Sequence, residues 1–257
     1  MIGIDLAGRT ALVTGGGRGL GRVISMRLAE AGAHVAVGYL RHREPALEVV
    51  ASIEDSGGEA IAVQGDVSRA DDVERLVDVA AERFGAVEIL VSNAALGTFG
   101  EPPDLKRRAL DRTFQISAWP LLGLTTRLLP FFEESGWGRI VALSSVGSRR
   151  AIPHYGALGM AKAALEALTR YLAEYVGRRF DNVTANAVSP SGFHDGELGH
   201  VSDPVLLQRL AQEQERTPGG RFPTMAEVAD AVLFLTSELA AGINGRDLVV
   251  DRGWLVA

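Results

Sequence analysis

The sequence contains no cysteine, and lysine is almost absent, with two residues of this type against 24 arginines. Without cysteine the chain can form neither a disulfide framework nor a thiolate metal site, and we predict no metal ligands. No apolar run approaches the roughly 18 residues of a membrane-spanning helix, and the first residues lack the basic and apolar regions of a signal peptide. We therefore expect a cytoplasmic protein with no membrane partner.

Positive charge is also in the minority, since 26 lysines and arginines face 32 acidic residues and the net charge is −6. Binding to nucleic acid needs a basic surface for the phosphates, so no nucleic-acid partner is expected. The 257 residues are 47% hydrophobic and include 30 glycines, which is typical of a compact α/β domain with many tight turns.

Short β-branched segments alternate with longer amphipathic segments along the chain. Several of the short segments are apolar on both faces, as a parallel sheet covered by helices requires. The alternation predicts an α/β, single-domain Rossmann fold, in which a doubly wound, seven-stranded parallel sheet has helices on both faces. The predicted strands are 10–14, 34–38, 60–64, 87–92, 139–144, 182–188 and 246–251, and the predicted helices lie near 19–31, 44–57, 70–84, 104–135, 158–178 and 225–238.

One segment, 189–224, interrupts the alternation because it is long and rich in glycine, proline and serine. It follows the sixth predicted strand. A long loop at the carboxyl end of a strand in such a fold is a good candidate for a substrate lid. We predict one domain over 1–257 with a lid at 189–224.

A glycine-rich stretch, TGGGRGLG at 14–21, follows the first strand and opens the first helix. Glycines there let the backbone turn sharply and approach a pyrophosphate, which sits on the helix N-terminus. The spacing is Gly-x3-Gly-x-Gly rather than the commoner Gly-x-Gly-x2-Gly. We predict a dinucleotide site that contains Gly15, Gly19, Leu20 and Gly21.

The residues after the second strand distinguish between the two dinucleotides. An NAD-binding protein usually has an acidic residue there for the ribose hydroxyls, whereas GYLRHRE has none before Glu44. Tyr39 and Arg41 stand in its place, and Arg18 lies in the glycine loop. An additional 2′-phosphate would meet positive charge and a planar fork of donors, so the sequence favours NADPH. The alternative is that these arginines are only solvated.

Two further segments follow strands and should face the same crevice, GDV at 65–67 and SNAA at 92–95. Asp66 is placed to accept a hydrogen bond from the adenine amino group, and Val67 to cover the ring. Asn93, with Ala94 beside it, is placed to fix the backbone beneath the cofactor. Aspartate and asparagine are also ordinary turn residues, so each of these signals is weak alone.

Taken in this order, the segments resemble the short-chain dehydrogenase/reductase family over essentially the whole chain. The matching segments are TGGGRGLG, GDV, SNAA, GRIVALSSVGS, a tyrosine–lysine pair, NAVSPSG and GRDLVVDRG. The resemblance implies a nicotinamide-dependent oxidoreductase, usually a dimer or tetramer. It also implies that Ser145, Tyr155 and Lys162 are catalytic, and that Lys162 binds the nicotinamide ribose and lowers the pKa of the tyrosine.

Two positions depart from the family pattern. Ser117 stands where the family has the asparagine of a proton relay, and a relay through Ser117 and water is a hypothesis. Pro190 and Ser191 replace the usual Pro-Gly after the sixth strand. Ser191 would then lie beside the nicotinamide, where it could orient a substrate oxygen.

The spacing of the tyrosine and the lysine is also unusual, because Tyr155 and Lys162 are seven residues apart instead of four. Leu158 occupies the usual tyrosine position and cannot perform acid–base chemistry. Pro153 and Gly156 indicate that the helix is not yet regular near Tyr155, so the phenol could still reach the same place. This spacing resembles that of the type III enoyl-acyl-carrier-protein reductases.

Two reactions remain open. The spacing favours reduction of the C=C bond of an enoyl thioester on acyl carrier protein. The segment 191–216, with five acidic residues against two arginines, disfavours that acidic partner. In both reactions Tyr155 would stabilise or protonate a developing oxyanion.

Apolar residues expected around the substrate are Leu96, Phe99, Trp119 and Phe193, which would suit a bulky apolar ligand. We therefore favour an NADPH-dependent reductase that transfers hydride to a ketone, or a conjugated enone, of a free polyketide-like substrate. Enoyl reduction is the alternative. A catalytically silent NADP(H)-sensing protein is a lesser one, because both the tyrosine and the lysine are present.

Overall fold

A computed structural model of the chain describes residues 3–193 and 204–257. Seven parallel strands form one sheet in the order β3-β2-β1-β4-β5-β6-β7. The predicted α/β Rossmann fold is confirmed. The strands are β1 Thr10–Thr14, β2 His34–Tyr39, β3 Ala60–Gln64, β4 Ile89–Ser92, β5 Trp137–Leu143, β6 Asn182–Pro190 and β7 Asp247–Val250.

Helices cover both faces of the sheet, and each face has its own apolar cluster. Ala11 and Val13 of β1 pack on the side that also holds α1, α2 and α8, whereas Leu12 packs on the side of α3, α5 and α6. Alternate residues of a strand point to opposite faces, which is why the strands are apolar throughout. The helices are α1 Gly19–Glu30, α2 Arg43–Asp55, α3 Ala70–Phe84, α4 Arg107–Ser117, α5 Pro120–Ser135, α6 Gly156–Arg179, α7 Pro204–Arg216 and α8 Met225–Thr236.

The single helix predicted over 104–135 is wrong, because the structure has two helices there, α4 and α5. The break falls at Ala118 and Trp119, directly before Pro120. A proline inside a helix lacks the N–H that would bond four residues back, and its ring clashes with that carbonyl. Pro120 therefore begins a new helix, a position in which it is well tolerated.

The predicted loop 189–224 is wrong in part, because 204–216 forms α7. Leu206 and Glu213 of this helix are buried. Residues 194–203 of the predicted lid lie outside the described residues, and the role of 189–224 as a lid stays a prediction. Among the described helices, none combines the length and the apolar character needed to cross a membrane.

The carboxyl ends of β1 and β4 are joined by Thr14. Its Oγ1 accepts hydrogen bonds from the backbone N–H groups of Asn93 and Ala94, each at 3.0 Å. The side-chain amide of Asn93 donates to the Thr14 carbonyl at 2.9 Å. The strand order reverses between β1 and β4, and ligands of such sheets bind at that point. Thr14 therefore fixes the floor of the crevice.

Replacing Thr14 by valine should lower the free energy of unfolding by about 2 kcal/mol, because two backbone N–H groups would lose their acceptor. Thr184→Val is a matched control, since the Thr184 hydroxyl is buried in β6 without a hydrogen-bond partner among the described residues. Urea unfolding of both variants tests this. An equal loss of stability in the two would contradict the assigned role of Thr14.

Candidate active site

The glycine loop between β1 and α1 is shaped for close approach of a ligand. Gly15 and Gly19 have φ angles of 65° and 50°, which residues with a side chain rarely adopt. A Cβ atom at Gly21 would lie 2.1 Å from the Gly15 carbonyl oxygen, so only glycine fits there. The loop leads into the N-terminus of α1, with Arg18 exposed just before it. These features fit the pyrophosphate of a dinucleotide.

A cavity of about 740 Å³ lies beyond the carboxyl ends of β2 and β3, on the side of the predicted adenosine site. Its walls carry four arginines against two aspartates. Arg41 and Asp66, both predicted from the sequence, are among them, and Tyr39 ends β2 next to this cavity. The lining residues are Leu40, Arg41, Asp66, Ser68, Arg107, Arg108, Asp111, Arg112, Gln115 and Ile116.

Sequence reasoning missed the three arginines that α4 contributes to this cavity. The segment KRRALDR at 106–112 places basic residues one helical turn apart, which is a signal for a basic surface. No feature of the local sequence shows, however, that α4 passes the end of β2. Asp66 is also partly engaged, because its Oδ1 accepts from the N–H and the hydroxyl of Ser68, at 3.0 and 2.7 Å. Its binding to adenine stays a prediction.

Trp119 is not where the sequence analysis expected it. It lines a separate cavity of about 430 Å³ between α3 and α5, together with Val67. Its ring packs against Phe114, with centroids 6.1 Å apart. The break before Pro120 ends α4 and turns this side chain toward α3. The structure therefore does not support a role for Trp119 in the wall around Tyr155.

Tyr155 and Ser145 come together despite the unusual spacing. The Tyr155 hydroxyl donates to Ser145 Oγ over 3.2 Å. Tyr155 is the residue that directly precedes α6, and Leu158 occupies the helix interior one turn later. The ring centroids of Tyr155 and Phe99 are 6.1 Å apart, so Phe99 borders the phenol, and its contact with substrate stays a prediction.

The turn before α6 holds Tyr155 in this position. His154 has a φ of 62°, an uncommon conformation that costs free energy outside glycine. Its carbonyl accepts from Gly100 N at 3.0 Å, and its Nε2 lies 3.1 Å from Glu101 Oε1. The loop that carries Phe99 is thereby tied to the residue next to Tyr155.

Lys162 lies in the interior of α6 with 4% of its surface exposed. Its ammonium donates to the Leu143 carbonyl at the end of β5. Burial lowers the pKa of Lys162 to about 8, and the negative charge of Glu166 opposes that change. Lys162 thus reaches the strand end that leads to Ser145.

The sequence predicts that Lys162 lowers the pKa of Tyr155, and the structure shows the opposite net direction. Burial raises the pKa of Tyr155, while its hydrogen bond to Ser145 lowers it. Among the described residues no hydrogen bond joins Lys162 to Tyr155, and the Lys162 ammonium donates to the Leu143 carbonyl. The phenol is therefore held in its protonated form.

Ser117 is buried at the end of α4, where its hydroxyl fixes the loop after β4. Its Oγ accepts from the Leu96 N–H at 2.9 Å and donates to the Leu96 carbonyl at 3.2 Å. The hydroxyl proton is thus already engaged, and a relay through Ser117 would require this bond to open. That role stays a prediction.

The residues after β6 occupy the side of the crevice opposite α6. Pro190 ends β6, and the Ser191 hydroxyl donates to the Gly192 carbonyl at 3.3 Å. Phe193 is half-buried against the cluster under α1 and α8, not against Phe99. The predicted contacts of Ser191 with the nicotinamide, and of Ser191 and Phe193 with substrate, are untested.

The sequence and the fold of the chain have counterparts in known proteins. A family model described as enoyl-(acyl carrier protein) reductase matches residues 15–255. The chain belongs to the short-chain dehydrogenase/reductase family. As a member of this family with a Rossmann fold, it is an oxidoreductase that uses a nicotinamide cofactor.

Relatives within the family carry different activities in their names. The 1-cyclohexenylcarbonyl-CoA reductase of Streptomyces collinus is 36% identical, over 95% of this chain and 86% of its own length. The versicolorin reductase stcU of Emericella nidulans is 33% identical, with 96% of each chain covered. A crystal structure from Sinorhizobium meliloti 1021, described as a short-chain alcohol dehydrogenase, has a TM-score of 0.89 and 31% identity, with 98% of each chain covered.

Gly21→Ala should weaken binding of the reduced nicotinamide cofactor about tenfold or more, because the new methyl group would displace the Gly15 carbonyl. Fluorescence titration of the cofactor measures this. Gly123→Ala in α5 is the control, since its Cβ would meet only a Val73 methyl group at 3.6 Å. Unchanged affinity in the Gly21 variant would show that the loop does not bind the cofactor.

Proposed function

We propose that the protein is an NADPH-dependent reductase that transfers hydride to a ketone, or a conjugated enone, of a free apolar substrate of polyketide type. The observation that carries this proposal is the pair of hydroxyls on Tyr155 and Ser145, which lie 3.2 Å apart. Two donors that converge on one point suit a carbonyl oxygen that gains negative charge during reduction.

When bound, the reduced nicotinamide supplies the hydride. Tyr155 then donates its proton to the substrate oxygen, and Ser145 holds that oxygen by a hydrogen bond. Because burial raises the pKa of Tyr155, the phenol keeps its proton until the oxygen becomes a strong base. Lys162 would hold the ribose of the bound cofactor, as the family resemblance implies, and its ammonium lies at the end of β5.

The walls around the phenol support an apolar substrate. Phe99 borders the Tyr155 ring, and Leu158 packs near Gly97 of the same loop. Leu96 is fixed beside them through its backbone bonds to Ser117. The similarity to a protein named versicolorin reductase is in line with reduction of a free substrate.

A second candidate function, reduction of the C=C bond of an enoyl thioester, has specific support. The relative at 36% identity is named as a reductase of an acyl-CoA thioester, and the family model bears the name of an enoyl reductase. Residues 204–216 also carry less exposed negative charge than the sequence suggests, which weakens the case against acyl carrier protein as a partner. Glu213 is buried and paired with Arg209 at 2.9 Å and Arg150 at 3.2 Å, so it adds no exposed negative charge.

The segment 191–216 contains four other acidic residues, of which three lie outside the described residues and one lies in α7. Asp195, Glu197 and Asp203 lie outside the described residues, and Glu215 is exposed near Arg216. The preference for a ketone therefore rests on Ser145 and not on the charge of the lid. An enolate oxygen formed from a thioester would need the same phenol, so the two reactions share Tyr155.

The preference for NADPH rests on the basic cavity next to β2. Four arginines line it, among them Arg41, and the nearest carboxylates are already engaged by neighbours. Asp66 bonds to Ser68, and Asp111 pairs with Arg107 at 2.8 Å. A 2′-phosphate would find Arg41 available as a partner.

We also propose a homodimer or homotetramer, which is usual for this family. A group of large apolar and aromatic side chains exposed on α5 and α6, here called the apolar face, supports it, because larger exposed apolar patches mark interaction sites. This face consists of Leu122, Met160, Tyr171 and Tyr175.

Arg41→Ala should raise the KM for NADPH about tenfold while it changes the KM for NADH little, because only NADPH presents the 2′-phosphate. Arg43→Ala is the control, as Arg43 is exposed at the start of α2 but does not line the cavity. Steady-state kinetics with both cofactors give the result. Equal effects of Arg41→Ala on NADPH and NADH would refute the phosphate assignment.

In assays of NADPH oxidation with polycyclic ketones and with crotonyl thioester, the protein should turn over the ketones. Tyr155→Phe should reduce the rate of ketone turnover about 100-fold or more. Tyr171→Phe in α6 should leave turnover intact, because it removes only the hydroxyl of a ring at the surface of the chain. Ser145→Ala should also lower ketone turnover strongly. Turnover of the thioester alone would make the second candidate the correct one.

A further inference from the structure

A buried carboxylate lies one helical turn after Lys162. Glu166 of α6 is 7% exposed, and its Oε1 contacts serine hydroxyls from three different elements. These are Ser144 at 2.6 Å, Ser189 at 3.3 Å and Ser148. A carboxylate that accepts several hydrogen bonds is well suited to hold the donors in fixed positions.

Each of these serines is next to a part of the candidate active site. Ser144 directly precedes Ser145, and its Oγ also lies 3.4 Å from the Lys162 carbonyl. Ser148 ends the short turn 146–148 that follows Ser145, and Ser189 directly precedes Pro190. The Glu166 carboxylate is therefore the point at which β5, β6 and α6 meet.

Other charged groups also face this carboxylate. Arg149, which is 44% exposed, lies 3.7 Å from Glu166 Oε2 and also pairs with Asp247 of β7. Asp247 shares Ser189 with Glu166, at 2.8 Å, and Arg170 of α6 acts on it from a greater distance. Burial raises the pKa of Asp247, the hydrogen bond from Ser189 opposes this change, and the charge of Glu166 raises the pKa further.

We propose that Glu166 is a positioning residue, which joins the segments that carry Ser145, Lys162 and Pro190 and places a negative charge one helical turn from the Lys162 ammonium. This inference rests on the proposed function, because it assigns Lys162 to that reaction. Glu166 touches neither substrate nor cofactor in this assignment, and it acts through Lys162 and the serines.

An electrostatic consequence distinguishes this role from a purely structural one. Burial already lowers the pKa of Lys162 to about 8, and the Glu166 charge counteracts the effect. Glu166→Gln keeps a side-chain acceptor for the serines but removes the charge. The desolvation of the ammonium would then be unopposed, and Lys162 would lose its proton closer to neutral pH.

The test uses the full chain, labelled with ¹³C at the lysine ε-carbon. Since Lys106 and Lys162 are the two lysines of the sequence, the spectrum has two such signals, and Lys106 is the internal control. Glu166→Gln should lower the pH midpoint of the Lys162 titration by about one unit. The alkaline limb of the pH profile of kcat/KM, measured with NADPH, should shift in the same direction. Glu166→Asp, which keeps the charge, should restore the midpoint toward that of the wild type.

Glu174→Gln is the matched control, because Glu174 lies on the same helix but is exposed and paired with Arg178 at 2.8 Å. It should move neither the Lys162 midpoint nor the alkaline limb. If Glu166→Gln leaves the midpoint unchanged, or if Glu166→Asp shifts it as far as Glu166→Gln does, the inference is overturned. Wild-type protein that turns over no substrate would refute the proposed function instead, and the lysine titration would still decide the role of Glu166.

Discussion

The geometry of the active site depends on one close contact, between the first turn of α6 and the short turn 146–148. A Cβ atom at Gly159 would lie 2.6 Å from the Gly147 carbonyl oxygen, so the two turns can pack this tightly only with glycine at 159. A Cβ at Gly147 would likewise lie 2.5 Å from a ring carbon of Tyr155. The start of the helix therefore sits directly against the segment that carries Ser145.

This contact explains how a tyrosine displaced by one turn still reaches the serine. A phenol inside the helix would project from its side, whereas Tyr155 stands just before the first turn and lies over 146–148. The strained conformation of His154 and its bond to Gly100 hold it there. Backbone strain of this kind persists where surrounding contacts determine the structure fully.

The sequence predicted the elements with strong local signals. Strands buried on both faces and the glycine loop follow from periodicity and from residues near one another in the chain, whereas the approach of Tyr155 to Ser145 was implied by the family resemblance. The break before Pro120 and the helix 204–216 were missed, because an apolar period was extended through a proline and because glycine and proline content was averaged over 189–224.

Features that depend on distant elements were not accessible in the same way. The α4 arginines reach the adenosine side only because α4 passes the end of β2, and Glu166 becomes important only where three serines converge on it. Trp119 and Phe193 were expected around the substrate from their positions along the chain. In the structure Trp119 packs against Phe114, and Phe193 packs against the apolar cluster under α1 and α8. Residue type did not predict their location, and Trp119 is 54% exposed.

The spacing of Tyr155 and Lys162 does not by itself select the bond that is reduced. The phenol is hydrogen-bonded to Ser145, and the ammonium reaches the end of β5, so the displaced pair still lies on the two segments that carry the chemistry. Either a carbonyl oxygen or a thioester enolate oxygen could receive the phenolic proton. We propose that selection between them comes from the residues around the phenol, among which Phe99 borders the Tyr155 ring. The ketone preference of the proposed function depends on Ser145, whose hydroxyl gives one carbonyl oxygen a second donor beside that of Tyr155.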